Sequence, residues 1–291
     1  MPKLTRAGLA AGAFGLLGVL SFESVLAQPG GAPVVLAPHR AIYEITLDQA
    51  RGGSGVSDMS GRMVYELTGS TCEGYTQNMR FVTRMTNQEG AVSLTDMRSS
   101  SWEDAIAKSF KFNSTQYRDA KLSETTQGDA TRGSPAVEGR IELTKPDKKD
   151  MPLKSNVFFP IQHSMALIEA ARKGETLFHA DLYDGSEKGV KTYATTSYIG
   201  RSQPAGYNKK LQVLPNGDKL DALKSWPVSI SYFEEGADKK DSVPSYELAF
   251  LYFENGVSWR LFIDYGDFAI RGTMKEITFI EPGKCDASLK R

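Results

Sequence analysis

Three histidines, two cysteines and scattered carboxylates are the side chains through which this chain could do chemistry. His39, His163 and His179 stand apart. No two have the spacing of metal ligands, and neither HExxH nor CxxC occurs. GxSxG, a phosphate-binding loop and a dinucleotide fingerprint are absent too. Asp264 and Asp267 flank Tyr265-Gly266, and a glycosidase needs two carboxylates about 5 to 10 Å apart. With His39 they form the enzymatic alternative, a hydrolase acting on glycan or lipid. Each has an ordinary hydrogen-bonding role as its simpler reading. The runs Glu234-Glu235 and Asp238 to Asp241 read as solvated loops. The expectation is a protein without catalytic residues, metal or cofactor.

The two cysteines, Cys72 and Cys285, read more clearly as structure. An even count suits a compartment that oxidises thiols. A bond between them would close a loop of roughly 210 residues. The chain-entropy treatment puts the stabilisation at no more than ~5 kcal/mol. The aromatic residues are the other candidates. Phe158 and Phe159 precede a helical segment. Phe250 and Tyr252 alternate with Leu251 and Phe253, so one strand carries apolar groups on both faces. Most such rings belong to a core. A concave face lined for an apolar ligand or an extended peptide is the functional reading, with Phe158, Phe159, Tyr252 and Trp259 as candidate binding residues.

These residues are to be positioned almost entirely by strands. Ala41, Tyr43, Ile45 and Leu47 alternate with Ile42, Glu44, Thr46 and Asp48, the period of a half-buried strand. Residues 51–60, rich in Gly and Ser, read as a loop. Further strands are expected over 63–67, 75–85, 92–102, 108–117, 122–131 (polar, and so solvated) and 136–143. Residues 145–154 carry Pro146 and Pro152 and read as a loop. Residues 160–174 break the pattern. Pro160 suits a first helical turn, Ile161, Met165 and Ile168 recur at helical spacing, and Gly174 suits the C-cap. Strands resume over 176–183, 190–199, 226–233, 246–253, 257–265 and 268–279, with a turn at Pro215-Asn216-Gly217-Asp218. Asn255-Gly256 predicts a type I′ hairpin. The pattern is that of an all-β fold of roughly 12 to 14 antiparallel strands with one helix, in a long sheet that curls, splits into two packed layers, or closes on itself as a barrel or spiral.

At the N-terminus, Lys3 and Arg6 precede an apolar stretch from Ala7 to Leu20. Val25-Leu26-Ala27 then has the small-x-small form of a cleavage site. Residues 1–27 read as a signal peptide, 28–35 as a flexible tail, 36–285 as a single domain and 286–291 as a C-terminal tail. The expected location is the periplasm, with no transmembrane segment in the mature chain. Lys plus Arg and Asp plus Glu both number 35. That balance argues against nucleic acid or an anionic membrane face as a broad electrostatic partner.

Several stretches occur together in an order that is itself informative. They include Pro38-His39-Arg40-Ala41-Ile42-Tyr43, Gly61-Arg62-Met63-Val64-Tyr65-Glu66 and Cys72-Glu73-Gly74-Tyr75. Phe81-Val82-Thr83-Arg84, Phe159-Pro160-Ile161-Gln162-His163, Asp181-Leu182-Tyr183-Asp184-Gly185, Trp226-Pro227-Val228 and Asn255-Gly256-Val257-Ser258 complete the set. From about Leu36 to Cys285 the chain resembles the EipB family of periplasmic cell-envelope integrity proteins. The resemblance implies an all-β fold, a large antiparallel sheet of about 14 strands curled into an open barrel or β-spiral with one helix, and a Cys72–Cys285 disulfide. It also implies a role in envelope integrity and a possible tetratricopeptide-repeat partner. It supplies no catalytic residues. The family fold is similar to that of lipoprotein carriers, whose curved sheets hold acyl chains. The expected activity is therefore non-enzymatic binding of a hydrophobic ligand, an extended peptide or a protein partner.

Overall fold

A computed structural model describes residues 32–133, 138–208, 211, 213–234 and 243–285. The chain divides into Met1–Pro33 and Val34–Arg291. Every strand and helix among the described residues lies in the second unit. The signal-peptide reading, Glu235 and the run at 238–241 lie outside the described residues.

The first eight strands form an up-and-down meander. They are β1 (His39–Ala50), β2 (Val56–Ser70), β3 (Gly74–Asn87), β4 (Val92–Glu103), β5 (Ser109–Arg118), β6 (Lys121–Thr131), β7 (Gly139–Lys145) and β8 (Lys149–Leu153). Helix α1 (Pro160–Lys173) comes next, then β9 (Leu177–Leu182), β10 (Tyr193–Ile199), the short α2 (Asp218–Asp221), β11 (Ser225–Glu234), β12 (Tyr246–Phe253), β13 (Ser258–Asp264) and β14 (Phe268–Phe279). All strands join one antiparallel sheet in the order β8-β7-β6-β5-β4-β3-β2-β1-β14-β13-β12-β11-β10-β9. The sheet is curled and does not close into a continuous ladder. After β8, the Phe158 amide donates to the Asp181 carbonyl (2.7 Å) and the Tyr183 amide to the Phe158 carbonyl (2.9 Å). This parallel bridge to Leu182 covers part of the β9 edge.

The period-two pattern explains which face is buried. In β1, Ala41, Tyr43 and Ile45 are buried while Arg40, Glu44 and Thr46 are exposed. The same inner face continues through Met274 and Ile270 of β14, Leu261 of β13, and Ile230 and Tyr232 of β11. Helix α1 sits on this face. Its Ile161, Leu167, Ile168, Ala170 and Ala171 belong to the same core cluster. It ends where Gly174 takes the left-handed conformation (φ 79°), and the Gly174 amide returns to the last carbonyls. A second cluster joins Phe110 and Phe112 of β5 to Leu143, Leu153, Phe159 and Tyr183.

Five expectations need correction. Val56 to Ser60 is not loop but the start of β2, paired with β3. Residues 149–153 are a strand despite Pro152. As the outermost strand, β8 has one side on which a missing N–H leaves no ladder bond unmade. β6 is not simply solvated, since Thr126, Gly128 and Ala130 are buried. The turn at Asn255-Gly256 is not type I′. Only Gly256 of the pair has positive φ (86°), and its amide donates to the Phe253 carbonyl (2.9 Å). The result is a type I turn with a left-handed glycine, the bulged hairpin that needs only one such residue. Helical structure is also not confined to α1. Glu187–Gly189 forms a 3-10 turn, which delays the start of β10 to Tyr193, and the turn at Pro215 leads into α2.

Candidate functional site

Cross-strand register gives the curl two poles. His39 of β1 pairs with Phe279 and with Leu67, whereas Ala50 pairs with Phe268. Eleven residue steps of strand, roughly 36 Å at 3.3 Å each, separate them.

The His39 pole is sealed. Cys72, in the β2–β3 turn, is bonded to Cys285 beyond β14. The Gly283 amide donates to the Gly69 carbonyl, and the Tyr75 hydroxyl to that of Leu36. Leu211 and Leu220 are fully buried in the main core, and the Asn216 amide group donates to the Ile277 carbonyl (2.7 Å). His39 is 1 % exposed and its Nδ1 lies 2.7 Å from the Ala37 carbonyl. Burial lowers its pKa, against the opposing pull of the Ala37 carbonyl.

The N-terminus of α1 is held at the same pole. Its cap residue, Phe159, has no side chain to offer the first amides. Glu103 at the end of β4 replaces a cap: Oε2 accepts from the Ile161 amide (2.8 Å) and Oε1 from Gln162 (2.9 Å). The helix N-terminus favours the negative charge. Desolvation pushes in the opposite direction and dominates, raising the Glu103 carboxyl to about 7 against the pull of those amides and of Arg132. Arg132 itself donates to Ala107 and Ser155 carbonyls and to Gln162 Oε1, with its guanidinium 4.9 Å from the Phe159 ring. Further along α1, His163 is 4 % exposed. Thr195 donates its hydroxyl to the Ala180 carbonyl (2.8 Å), so its oxygen accepts from His163 Nε2–H (3.2 Å). Burial lowers the His163 pKa to about 4.

The opposite pole is lined differently. Leu47, Met85, Tyr246, Ile263 and Phe268 all pack against the core yet remain half-buried. Met63 and Phe81, cross-strand partners on β2 and β3, do the same in mid-sheet, and Met97 of β4 opposes Phe81. Thioether side chains adapt their shape to whatever packs on them. Tyr232 and Tyr246 stack at 4.2 Å, with Tyr193 edge-on to both, and Tyr265 continues the rings outward.

The residues singled out from sequence fall into separate places. Phe159 is fully buried, stacked on Phe110 at 5.2 Å, in the second cluster. Phe158 packs edge-on against His163 and Phe178. Tyr252 and Trp259 are 5 % and 8 % exposed in the main core, with Trp259 under the Arg260 guanidinium. These four do not converge on one pocket. Asp264 is bound at 2.7 Å by Arg51 and also accepts the Gly266 amide, while the Asp267 carbonyl accepts the Arg51 amide. His39 lies at the other pole from this pair. His179 meets Thr196 on the exposed side of β9. No group of three or more His, Cys, Asp or Glu with metal-holding geometry occurs among the described residues, and no helix there is long and apolar enough to cross a membrane.

The half-buried lining at 47, 63, 81 and 85 escapes a reading of the sequence because each residue looks like ordinary core. Its signal is the concentration of methionine in β2–β4, at 59, 63, 79, 85 and 97.

Comparison with known proteins agrees with this architecture. A curated relative, the cell envelope integrity protein EipB of Brucella abortus (strain 2308), is 36 % identical over 260 residues, 89 % of each chain. A crystal structure of a β-barrel-like protein of domain of unknown function DUF1849, also from Brucella abortus, superposes with a TM-score of 0.77 at 36 % identity. It covers 85 % of this chain and 100 % of that one. The family model described as EipB-like matches residues 31–281, and the chain belongs to that family.

Proposed function

We propose that this protein supports cell-envelope integrity from the periplasm as a non-enzymatic binding protein, holding a hydrophobic molecule on the inner face of its curled sheet. The observation that carries this reading is the half-buried apolar lining at the unsealed pole: Leu47, Met85, Ile263 and Phe268, continued inward by Met63 and Phe81. In a closed core these side chains would be covered, and a row of them left partly open marks a surface that takes an apolar ligand. The relative's name supports the envelope role. The separation of His39 from Asp264 supports a non-enzymatic one.

Native mass spectrometry of protein purified from its own compartment tests the reading. Adducts of lipid mass, released by solvent and lost in a Met63→Gln/Met85→Gln variant, are the expected result. Bare protein that also takes up no dodecyl-chain probe overturns it. Adducts of peptide mass, or co-purification of a tetratricopeptide-repeat protein in place of lipid, would replace the ligand with a protein segment.

A further inference from the structure

The inner face is not uniform, and its polar part suggests what kind of molecule the curl takes. Register places Tyr65, Met79, Ser99, Ser114 and Thr126 in one row across β2 to β6. The neighbouring row toward the sealed pole places Ser101 between Gln77 and Phe112. An inner face that packs on a core should be apolar at these positions, as it is in β1 and β11 to β14. Here it carries serine and threonine instead. Departures of this kind from a fold's own pattern concentrate at functional sites.

Ser99, Ser101 and Ser114 are half-buried, and their hydroxyls make no hydrogen bond with a described residue. Thr126, at the end of the row, is 1 % exposed and its Oγ1 has no partner among the described residues either. A buried hydroxyl without a partner costs free energy, so it is an unusual thing for a sheet to keep. No charged residue lies in the row itself. Glu103 is engaged by the helix amides at one end; toward the other, Glu124 opposes Gln116 in the next row and Arg118 pairs with Lys121 beyond it. The row is therefore an uncharged hydroxyl strip running directly into the thioethers of Met79 and Met97.

We infer that the ligand of the curl is an amphiphile with an uncharged, hydroxyl-bearing headgroup, a glycolipid in chemical terms. Its alkyl chain lies on the methionine wall and its sugar hydroxyls hydrogen-bond along Ser99, Ser101 and Ser114. The inference rests on the reading of the curl as a ligand site and adds the headgroup. A fixed carboxylate or phosphate headgroup would find no cation along this strip. A sugar finds alternating donors and acceptors, since each hydroxyl can serve as either.

Three probes that share a twelve-carbon chain test it below their micelle concentrations: dodecyl maltoside, dodecanoate and dodecylphosphocholine, with free maltose as a fourth arm. Titration of the oxidised full-length mature protein, followed by tryptophan fluorescence or calorimetry, should show dodecyl maltoside bound at least tenfold more tightly than the other two, and maltose bound weakly or not at all. Ser99→Ala/Ser114→Ala should remove that preference and leave dodecanoate affinity unchanged. Thr126→Val, which removes a hydroxyl without changing side-chain shape, should leave the melting temperature unchanged or raise it. A fall in the melting temperature would assign that hydroxyl to the fold. Equal binding of all three dodecyl probes, or a maltoside preference that survives in the serine variant, overturns the headgroup inference and leaves the apolar site standing. Binding of none of them overturns both. Binding of maltose as tight as that of its dodecyl derivative replaces the amphiphile with a free glycan.

Discussion

The two poles of the curl are built from the same strands and do opposite things with them. At the His39 pole every device closes the structure: the Cys72–Cys285 bond, the Glu103 carboxylate on the α1 amides, and the buried Leu211 and Leu220. At the Phe268 pole the inner face continues with Leu47, Met85 and Ile263 but nothing among the described residues covers it fully. The contrast separates two kinds of apolar residue that composition alone cannot distinguish. One kind is covered by the fold, and the other is left partly open by it.

Substitutions at the two poles should therefore differ in what they damage. The largest effect should come from Cys72→Ser/Cys285→Ser. A separation of 213 residues gives up to about 5 kcal/mol of lost stability in the chain-entropy treatment, read from the urea midpoint. Next is Glu103→Ala, which leaves two helix amides and Arg132 without their carboxylate. A loss of about 2–4 kcal/mol is expected by thermal or chemical unfolding.

Glu103→Gln sharpens the point through pH. The folded-state pKa near 7 lies above the ordinary value of 4.5, so the folded state binds the proton first. The Glu103 contribution to stability is then fully present below about 4.5 and is lost as pH rises through 7. His163 works the other way. Its folded pKa near 4 lies below 6.5, so its contribution is present above 6.5 and is lost as pH falls toward 4. The wild-type profile mixes the two, but the difference between wild type and Glu103→Gln isolates the first. That difference should fall by about 2–3 kcal/mol from pH 4.5 to 7.5. A flat difference would mean that folding does not raise the Glu103 pKa above its ordinary value.

The smallest effect on stability should be at the open pole. Met85→Gln should shift stability by no more than about 1 kcal/mol while weakening uptake of a dodecyl probe several-fold. If Met85→Gln unfolds the protein and Glu103→Ala does not, the assignment of the poles is inverted.

How much of this the sequence can reveal depends on the range of the interaction concerned. The strands of alternating pattern, β1, β3, β11 and β14, are legible because their signal lies within one segment. Helix α1 is legible from Pro160 and Gly174. The edge strand β8 is not, because Pro152 is a breaker unless one already knows that the strand is outermost. The Glu103 cap is illegible for a different reason: its partner amides lie 58 and 59 residues away, and a lone Glu after Trp102 looks like any loop acid. The hydroxyl row is the clearest case. Ser99, Ser114 and Thr126 each sit in a polar-looking stretch that suggests solvent, and only cross-strand register shows that they share the inner face. The candidate rings at 158, 159, 252 and 259 rest on residue type alone, and type does not distinguish a covered ring from an open one.

The position of β1 has a consequence for how the chain reaches this state. In the sheet it lies between β2 and β14, so the first strand synthesised keeps one side unpaired until the last has been made. More than 200 residues separate those partners in sequence, as in Glu44 and Thr273. Pairings so distant make folding slow, because the entropy of closing the loop is lost before the contact forms. Until then β1 offers an open ladder and an apolar face to any neighbouring chain. The protein is thus most vulnerable to aggregation not when fully unfolded but when all of it except the final strand is in place.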